Sequence, residues 1–232
     1  MKIAAILHKV NPAANDFAEI ENFLSKLIEA SLSESDIVIG PDYALGSYLT
    51  NASLAHKAEL FERLSLISQK SKSLIIPGTL SYAVFEDSEG RMVHSAPIFL
   101  NGQLQQEFLK ERDNGELARA ERAELLYSKG DSSKNRLSYQ GKIICVGICG
   151  DHANQNVRGS DLELVLAFDR NAGFWPRPPN DRFKRKVIVC DGYEPKAEAF
   201  DYDPDKEPKL ADIPIIKKNT DFSVFDVQWQ KS

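Results

Sequence analysis

The stretch "KIICVGICGD", Lys142–Asp151, decides how this chain is read. Apolar or small residues run without interruption from Ile143 to Cys149, and a glycine and an aspartate follow at once. A continuously apolar run of this length fits a strand buried on both faces, as in a parallel sheet under helices. Cys149 then stands where the strand ends. One reading makes it a small hydrophobe of the core, the usual state of a free cysteine. The other makes it a nucleophile held at a strand end, where α/β proteins assemble their sites.

Similar runs recur along the chain. "KIAAILH" near the start, "DIVIG" at Asp36–Gly40, "LELVLAF" and "KVIVC" read as buried strands. From Phe17 the apolar residues Ile20, Phe23, Leu24, Leu27 and Ile28 fall on one helical face. Asn15 or Asp16 is placed to cap that helix, with Glu19 completing a capping box. Leu60, Phe61, Leu64 and Ile67 mark a second amphipathic helix. "SLIIPGTLSY" reads as a strand, "VFEDSEGRMVHSAPIFL" as a hairpin turning at "DSEG", and "QLQQEFLK" as a strand ending at Lys110. "GELARAERAELL" is rich in helix formers and reads as a short helix. The tail after Glu194 is rich in Asp, Lys and Pro, and "FSVFDV" closes it as a last strand. Helices early and strands late give a layered α/β domain with a mixed sheet. No repeat, low-complexity segment or linker divides it, so residues 1–232 read as a single domain.

Composition narrows the function. The chain has 232 residues, 42% hydrophobic and 27% charged, with a formal net charge of −5. That length can bury a sizeable core. The acidic balance argues against a nucleic-acid partner. No run approaches the ~20 apolar residues of a membrane helix, and the apolar start is too short for a secretory signal, so a soluble, cytoplasmic protein without a membrane partner is expected. The three cysteines, Cys145, Cys149 and Cys190, are too few and too poorly spaced for a disulfide framework or a zinc site. Cys145 and Cys190 lie inside apolar strands and read as core.

Four ionisable residues mark strand ends or their surroundings: Asp42 after "DIVIGP", Lys110 after "QEFL", Glu124 before "LLYSKG", and Cys149. Together they form a coherent set. A carboxylate can take a thiol proton, an ammonium can lower the cysteine pKa and stabilise an oxyanion, and a second carboxylate can orient the ammonium. The same region also offers Glu111, Glu116 and Glu121, and only the spacing to Gly130 selects Glu124. His152, three residues after Cys149, reads as a turn residue, because local neighbours on a turn seldom face each other productively. "FDYDPDKEP" has the acid spacing of a calcium loop, but Lys206 stands where glycine belongs. It reads as a solvated acidic loop. In "GFWPRPP", Phe174 and Trp175 could line a pocket or cover a core edge.

In order, "MKIAAIL", "DIVIGPD", "EFLK", "ELLYSKG" and "VGICGD" resemble the nitrilase (carbon–nitrogen hydrolase) superfamily, from Met1 to about Asp169. The resemblance implies a four-layer α-β-β-α sandwich of the nitrilase type. It also implies thiol-dependent hydrolysis of a small-molecule, non-peptide amide through a cysteine thioester, without cofactor or metal, in a protein of a family that commonly forms homodimers. By the same resemblance Cys149 is the nucleophile, Lys110 the oxyanion donor, Glu124 its orienting partner, Asp42 the general base and the Gly150 N–H a second oxyanion donor. Asp151 is structural. The chain departs from the family at Asp42, where glutamate is expected, in "HANQN" after Asp151, and from about residue 170 onward. These departures support an alternative, a catalytically silent member that binds a small molecule or a protein partner through the same pocket.

Overall fold

The run at Lys2–Ile6 forms strand β1, and all but Lys2 are buried. Alternate side chains serve two interiors. Ile3 and Ala5 point into a core shared by two sheets, and Ala4 and Ile6 point into a core shared with helices. A strand covered on both sides has no polar face to display, so its sequence does not alternate. The protein is described by a computed structural model covering residues 1–11, 17–47, 49–86, 89–153, 159–168, 184–203, 209–210 and 213–229.

Helix α1 (Phe17–Ser31) leads to β2 (Ile37–Ile39), and α2 (Leu54–Lys70) leads to β3 (Leu74–Ile76). The three strands run parallel. Phe23, Leu24 and Leu27 of α1 and Leu60 and Leu64 of α2 cover one face of the sheet. Ser53 caps α2 by accepting from the His56 N–H at 3.1 Å. Asn15 and Asp16, the expected caps of α1, lie outside the described residues.

A set of antiparallel strands extends this sheet: β4 (Leu80–Glu86), β5 (Glu89–Leu100) and β6 (Gln103–Leu109). Asn101 and Gly102 both have positive φ, 51° and 77°. That geometry suits a two-residue hairpin turn between right-twisted strands. Helix α3 (Glu116–Arg122) and β7 (Leu126–Ser128) follow, β7 lying parallel to β5. At the far end β14 (Ile215–Lys218) and β15 (Phe222–Asp226) bring the tail back, and β15 pairs antiparallel with β1. The second sheet has the order β13-β12-β11-β10-β9-β8. Its strands are β8 (Arg136–Tyr139), β9 (Lys142–Ile148), β10 (Leu162–Ala167), β11 (Arg185–Asp191), β12 (Lys196–Tyr202) and β13 (Lys209–Leu210). Ile144, Val146 and Ile148 of β9, with Leu162, Leu164 and Leu166 of β10, meet Ile3, Ile37, Ile39 and Phe225 of the first sheet.

The α/β layering and the pair of packed sheets agree with the sequence reading. Of the outer helical layers, α1 and α2 cover the first sheet, and α3 packs on β5 and β7. The outer face of the second sheet buries Val165, Ala167, Val187, Val189, Phe200 and Tyr202. Residues 169–183, which include Phe174 and Trp175, lie outside the described residues. Among the described residues no helix is long and apolar enough to cross a membrane.

Two expectations are corrected. "SLIIPGTLSY" is two strands, because Pro77 has no N–H to donate and Gly78 turns with φ 100°. A Cβ at Gly78 would collide with the Pro41 carbonyl, and one at Gly40 would stand 2.6 Å from the Pro77 carbonyl oxygen. The loops after β2 and β3 are thus pressed together, and Thr79 is brought beside Asp42. The helix expected over "GELARAERAELL" ends at Arg122, and Glu124 follows with φ 57°. Leu126–Ser128 then pairs with β5.

Gly78→Ala is expected to lower the unfolding free energy in urea by at least about 2 kcal/mol, because strain and collision add. Gly141 gives the comparison, since its φ is 73° and a Cβ added there would have nothing within 4 Å. Gly141→Ala should cost only the backbone contribution, about 1 kcal/mol.

Candidate active site

The compressed Gly40–Pro41 and Pro77–Gly78 loops fix Asp42. Its side chain is fully buried, and its N–H donates to the Ala167 carbonyl at 3.3 Å, across to the end of β10. Two groups hold one carboxylate oxygen. The Thr79 hydroxyl donates to Oδ1 at 2.5 Å, and His94 Nε2 lies 2.9 Å from the same atom. The other oxygen, Oδ2, has no hydrogen-bond partner and lies 4.0 Å from Lys110 Nζ. Burial works against the charge on Asp42. The Lys110 charge and the donors His94 and Thr79 outweigh it and bring its pKa below the ordinary value.

Lys110 follows β6 directly and is also fully buried. Its ammonium donates to Glu116 Oε1 at 2.7 Å. Burial alone would favour the neutral amine, but Asp42, Cys149 and Glu116 reverse that and hold its pKa above the ordinary value. Glu116 opens α3. It accepts from the Tyr43 hydroxyl at 2.5 Å through Oε1 and from the Asn114 N–H at 2.6 Å through Oε2. Burial would raise its pKa, but the Lys110 charge and these donors bring it down to about 2. The carboxylate paired with Lys110 is therefore Glu116. Glu124, the residue selected by spacing, is exposed beyond the end of α3. The chain turns sharply between Lys110 and Glu116. Asp113 Oδ1 accepts from Gly115 N at 2.8 Å and Leu117 N at 3.0 Å, and that turn directs the first helical residue back onto the lysine.

Cys149 takes φ 47° where β9 passes into a 3₁₀ turn over Cys149–Ala153. A left-handed conformation is uncommon for a residue with a Cβ and marks a position held by its surroundings. The sulfur interacts with the Lys110 and Asp42 charges and accepts from the Phe168 backbone N–H. It is only 6% exposed, and burial pushes its pKa up to about 12 against the pull of Lys110. The expected lowering of the thiol pKa by lysine is present but smaller than the cost of burial, so Cys149 rests as a thiol.

The Gly150 N–H is engaged by Asn114. One end of the Asn114 amide lies 3.5 Å from Cys149 Sγ and 3.1 Å from Gly150 N. With oxygen at that end, it accepts from Gly150 while the amide nitrogen donates to the Asp113 carbonyl at 2.9 Å. Asp151 accepts from the Glu111 and Arg112 N–H groups at 3.1 and 2.6 Å and so clamps the chain just after Lys110. His152 turns away from the cysteine and lies 2.7 Å from Glu163, which Arg185 holds from its other side, also at 2.7 Å. Cys145 and Cys190 are buried. Among the described residues no group of three or more His, Cys, Asp or Glu side chains could hold a metal ion.

Asp42, Lys110 and Cys149 thus lie together, and Gly150 stands beside the sulfur. Thr79, His94, Asn114 and Glu116 complete the cluster, and the sequence reading does not select them.

Two packed sheets with parallel strands under helices also make up the fold of solved nitrilase-superfamily structures, to which this chain is similar. A solved structure of a variant amidase from Nesterenkonia sp. AN1, of the nitrilase superfamily, superposes with a TM-score of 0.70 at 15% identity, covering 98% of this chain and 90% of that one. A second structure of that amidase carries acrylamide added to its active-site cysteine and matches with a TM-score of 0.68 at 15% identity, over 98% and 93% of the two chains. The glutamine-dependent NAD+ synthetase of Acinetobacter baumannii matches at 0.63 and 17% identity, over 96% of this chain and 44% of that one. By sequence the chain matches no family model and no curated protein. The likeness is therefore one of fold.

Glu116 and Glu124 are separable by acid titration. A carboxyl depressed in the folded state contributes stability above its unfolded pKa and loses it as pH falls through the folded one. For Glu116 that window runs from 4.5 down to about 2. Wild-type unfolding free energy should fall there with an extra slope of up to about 1.4 kcal/mol per pH unit, which Glu116→Gln removes. Glu124→Gln, at an exposed position, should leave the stability at neutral pH within about 0.5 kcal/mol.

Proposed function

We propose that the chain is a thiol-dependent hydrolase of small, non-peptide amides. The observation that carries this reading is Asp42 Oδ2, an anionic oxygen fully buried, without a hydrogen-bond partner, and sharing its surroundings with a thiol and an ammonium. A buried carboxylate oxygen left without a donor is costly as a structural device. It suits a base whose hydrogen-bond partner arrives during reaction.

In the proposed reaction Cys149 Sγ attacks the amide carbon as its proton passes to Asp42 Oδ2. The C–S bond forms and the carbonyl π pair moves onto oxygen. The Lys110 ammonium, held by Glu116, faces that oxyanion, and the Gly150 N–H joins it once the oxyanion replaces the Asn114 oxygen. Asp42 then returns the proton to the leaving nitrogen, and ammonia or an amine departs. Water, giving a proton to Asp42, then attacks the thioester carbon; the C–S bond breaks, the carboxylic acid leaves and the proton on Asp42 returns to the sulfur. Glu116 replaces Glu124 as the group that orients the lysine. No step calls on a cofactor or metal.

Structures of the Nesterenkonia amidase hold butyramide in one case and an acrylamide adduct in another. Short aliphatic amides are accordingly the first substrates to offer. The silent-member reading has one observation in its favour, the Gly150 N–H already occupied by Asn114.

Ammonia release from acetamide, propionamide and butyramide decides between them. The wild type should turn over at least one of these, and Cys149→Ala and Asp42→Asn should each lose at least about a thousandfold in kcat/KM. A folded wild type with no turnover, and with Cys149 inert to acrylamide, overturns the hydrolase reading in favour of binding alone.

A further inference from the structure

His94 lies in the middle of β5, completely buried, and faces the site from the strand beside β6. Its ring is bonded at both ends. Nε2 is 2.9 Å from Asp42 Oδ1, and Nδ1 is 2.6 Å from the Ser81 hydroxyl on β4. Arg119 of α3 donates to the same Ser81 oxygen at 3.2 Å. The Tyr43 ring packs on the imidazole with centroids 4.6 Å apart.

Only one arrangement of protons satisfies this chain. Arg119 can only donate. Ser81 therefore accepts from the arginine and has its own proton to give, and His94 Nδ1 receives it. Nδ1 then carries no proton, so Nε2 does, and it donates to Asp42. The charges agree with this assignment. Asp42 and Glu116 are anionic, Lys110 and Arg119 cationic, and among the described residues these groups with Tyr43 are the ionisable ones facing His94. A neutral imidazole leaves the buried set balanced, and a charged one would leave an excess positive charge in the interior. Burial, with the Lys110 charge, also lowers the His94 pKa against the pull of Asp42.

We propose that His94 is a positioning residue for the general base: as a neutral Nε2–H donor fixed by Ser81 and Arg119, it locks Asp42 Oδ1 and leaves Oδ2 as the oxygen that takes the thiol proton. This rests on the hydrolase reading and deepens it. Asp42 is a short base, one methylene less than glutamate, and a catalytic group misplaced by ~1 Å loses on the order of a hundredfold in rate. Thr79 and His94 hold Oδ1 from two sides, so the carboxylate cannot rotate and exchange its oxygens. A donor without charge fixes the base without suppressing its basicity as a second cation would.

The test uses the full chain. Imidazole ¹⁵N NMR of the wild type should show His94 neutral, protonated at Nε2 alone and unchanged between about pH 5 and 8, the range in which an ordinary histidine titrates. A ring protonated at Nδ1, or titrating within that range, overturns the proposal whatever the enzyme does. For the reaction, His94→Leu should lower kcat about a hundredfold with KM little changed. It should also move the acid limb of the kcat profile to higher pH, because Asp42 loses a donor. His94→Gln, which keeps an N–H donor, should restore most of kcat and the position of the limb. A folded His94→Leu protein with wild-type kcat and profile refutes the positioning role and leaves the hydrolase reading intact. If His94→Leu does not fold, a His94→Gln protein with a shifted acid limb refutes it equally. An inactive wild type removes the hydrolase reading, and the tautomer assignment then stands or falls on the NMR alone.

Discussion

The buried ammonium of Lys110 organises the site. A lysine removed from water must be paired or lose its proton. Here Glu116 pairs it at 2.7 Å and Asp42 stands 4.0 Å away. Each of these carboxylates would in turn be protonated in such surroundings without the lysine. The three charges are therefore interdependent, and the elements that carry them are interdependent too. Asp42 comes from the loop after β2, Lys110 from the end of β6 and Glu116 from the first turn of α3. None of these segments could shift without leaving a charge unpaired in the interior. That explains why close backbone contacts are used to fix them: the Gly40 and Gly78 loops pressed together, and the Asp151 carboxylate clamping the two N–H groups that follow the lysine.

Hydrogen bonding divides these carboxylates into two types. Glu116 is saturated: Lys110 and Tyr43 donate to one oxygen, and Asn114 to the other. A carboxylate so fully engaged stays ionised and has nothing left to offer a substrate. Asp42 is engaged on one oxygen only. The difference separates a group that holds from a group that can accept a proton. The number of donors at each atom expresses it more directly than residue type, since aspartate and glutamate share the same chemistry.

The strand-end residues are legible because burial writes itself into sequence. β2 and β9 are continuously apolar, so an ionisable residue at the end of either is conspicuous, and Asp42 and Cys149 stand out that way. Lys110 ends a half-exposed strand and needs the ordered motifs around it. Glu116 escapes such a reading because several acids crowd the segment from Glu111 to Glu124, and a count of residues to the next glycine ignores the turn between lysine and helix. The direction of that turn depends on Asp113 accepting from Gly115 and Leu117. His94 and Thr79 leave no mark at all. Each lies in or beside a strand whose pattern is set by packing, and each reaches Asp42 only through long-range pairing among the strands of the first sheet. The need for glycine at position 78 is equally hidden: it arises only because the loop at Pro41, distant in sequence, leaves no room for a Cβ.

The resting thiol constrains how any reaction here must proceed. Burial holds the Cys149 pKa at about 12, while Asp42 is held below the ordinary carboxylate value. Moving the proton first, to give a thiolate beside a neutral Asp42, runs against both shifts. It would also move the charge from Asp42, where Thr79 and His94 hold it, onto a buried sulfur. Attack with simultaneous proton transfer avoids that state. As the C–S bond forms, the charge leaves sulfur for the carbonyl oxygen, and the proton arriving on Asp42 removes one of the two anions competing for Lys110. The ammonium is then free to turn its field toward the oxyanion, and the site keeps its net charge at every stage. A buried cysteine of high pKa is thus compatible with nucleophilic chemistry, provided that the base is already in place and the substrate supplies the atom on which the charge comes to rest.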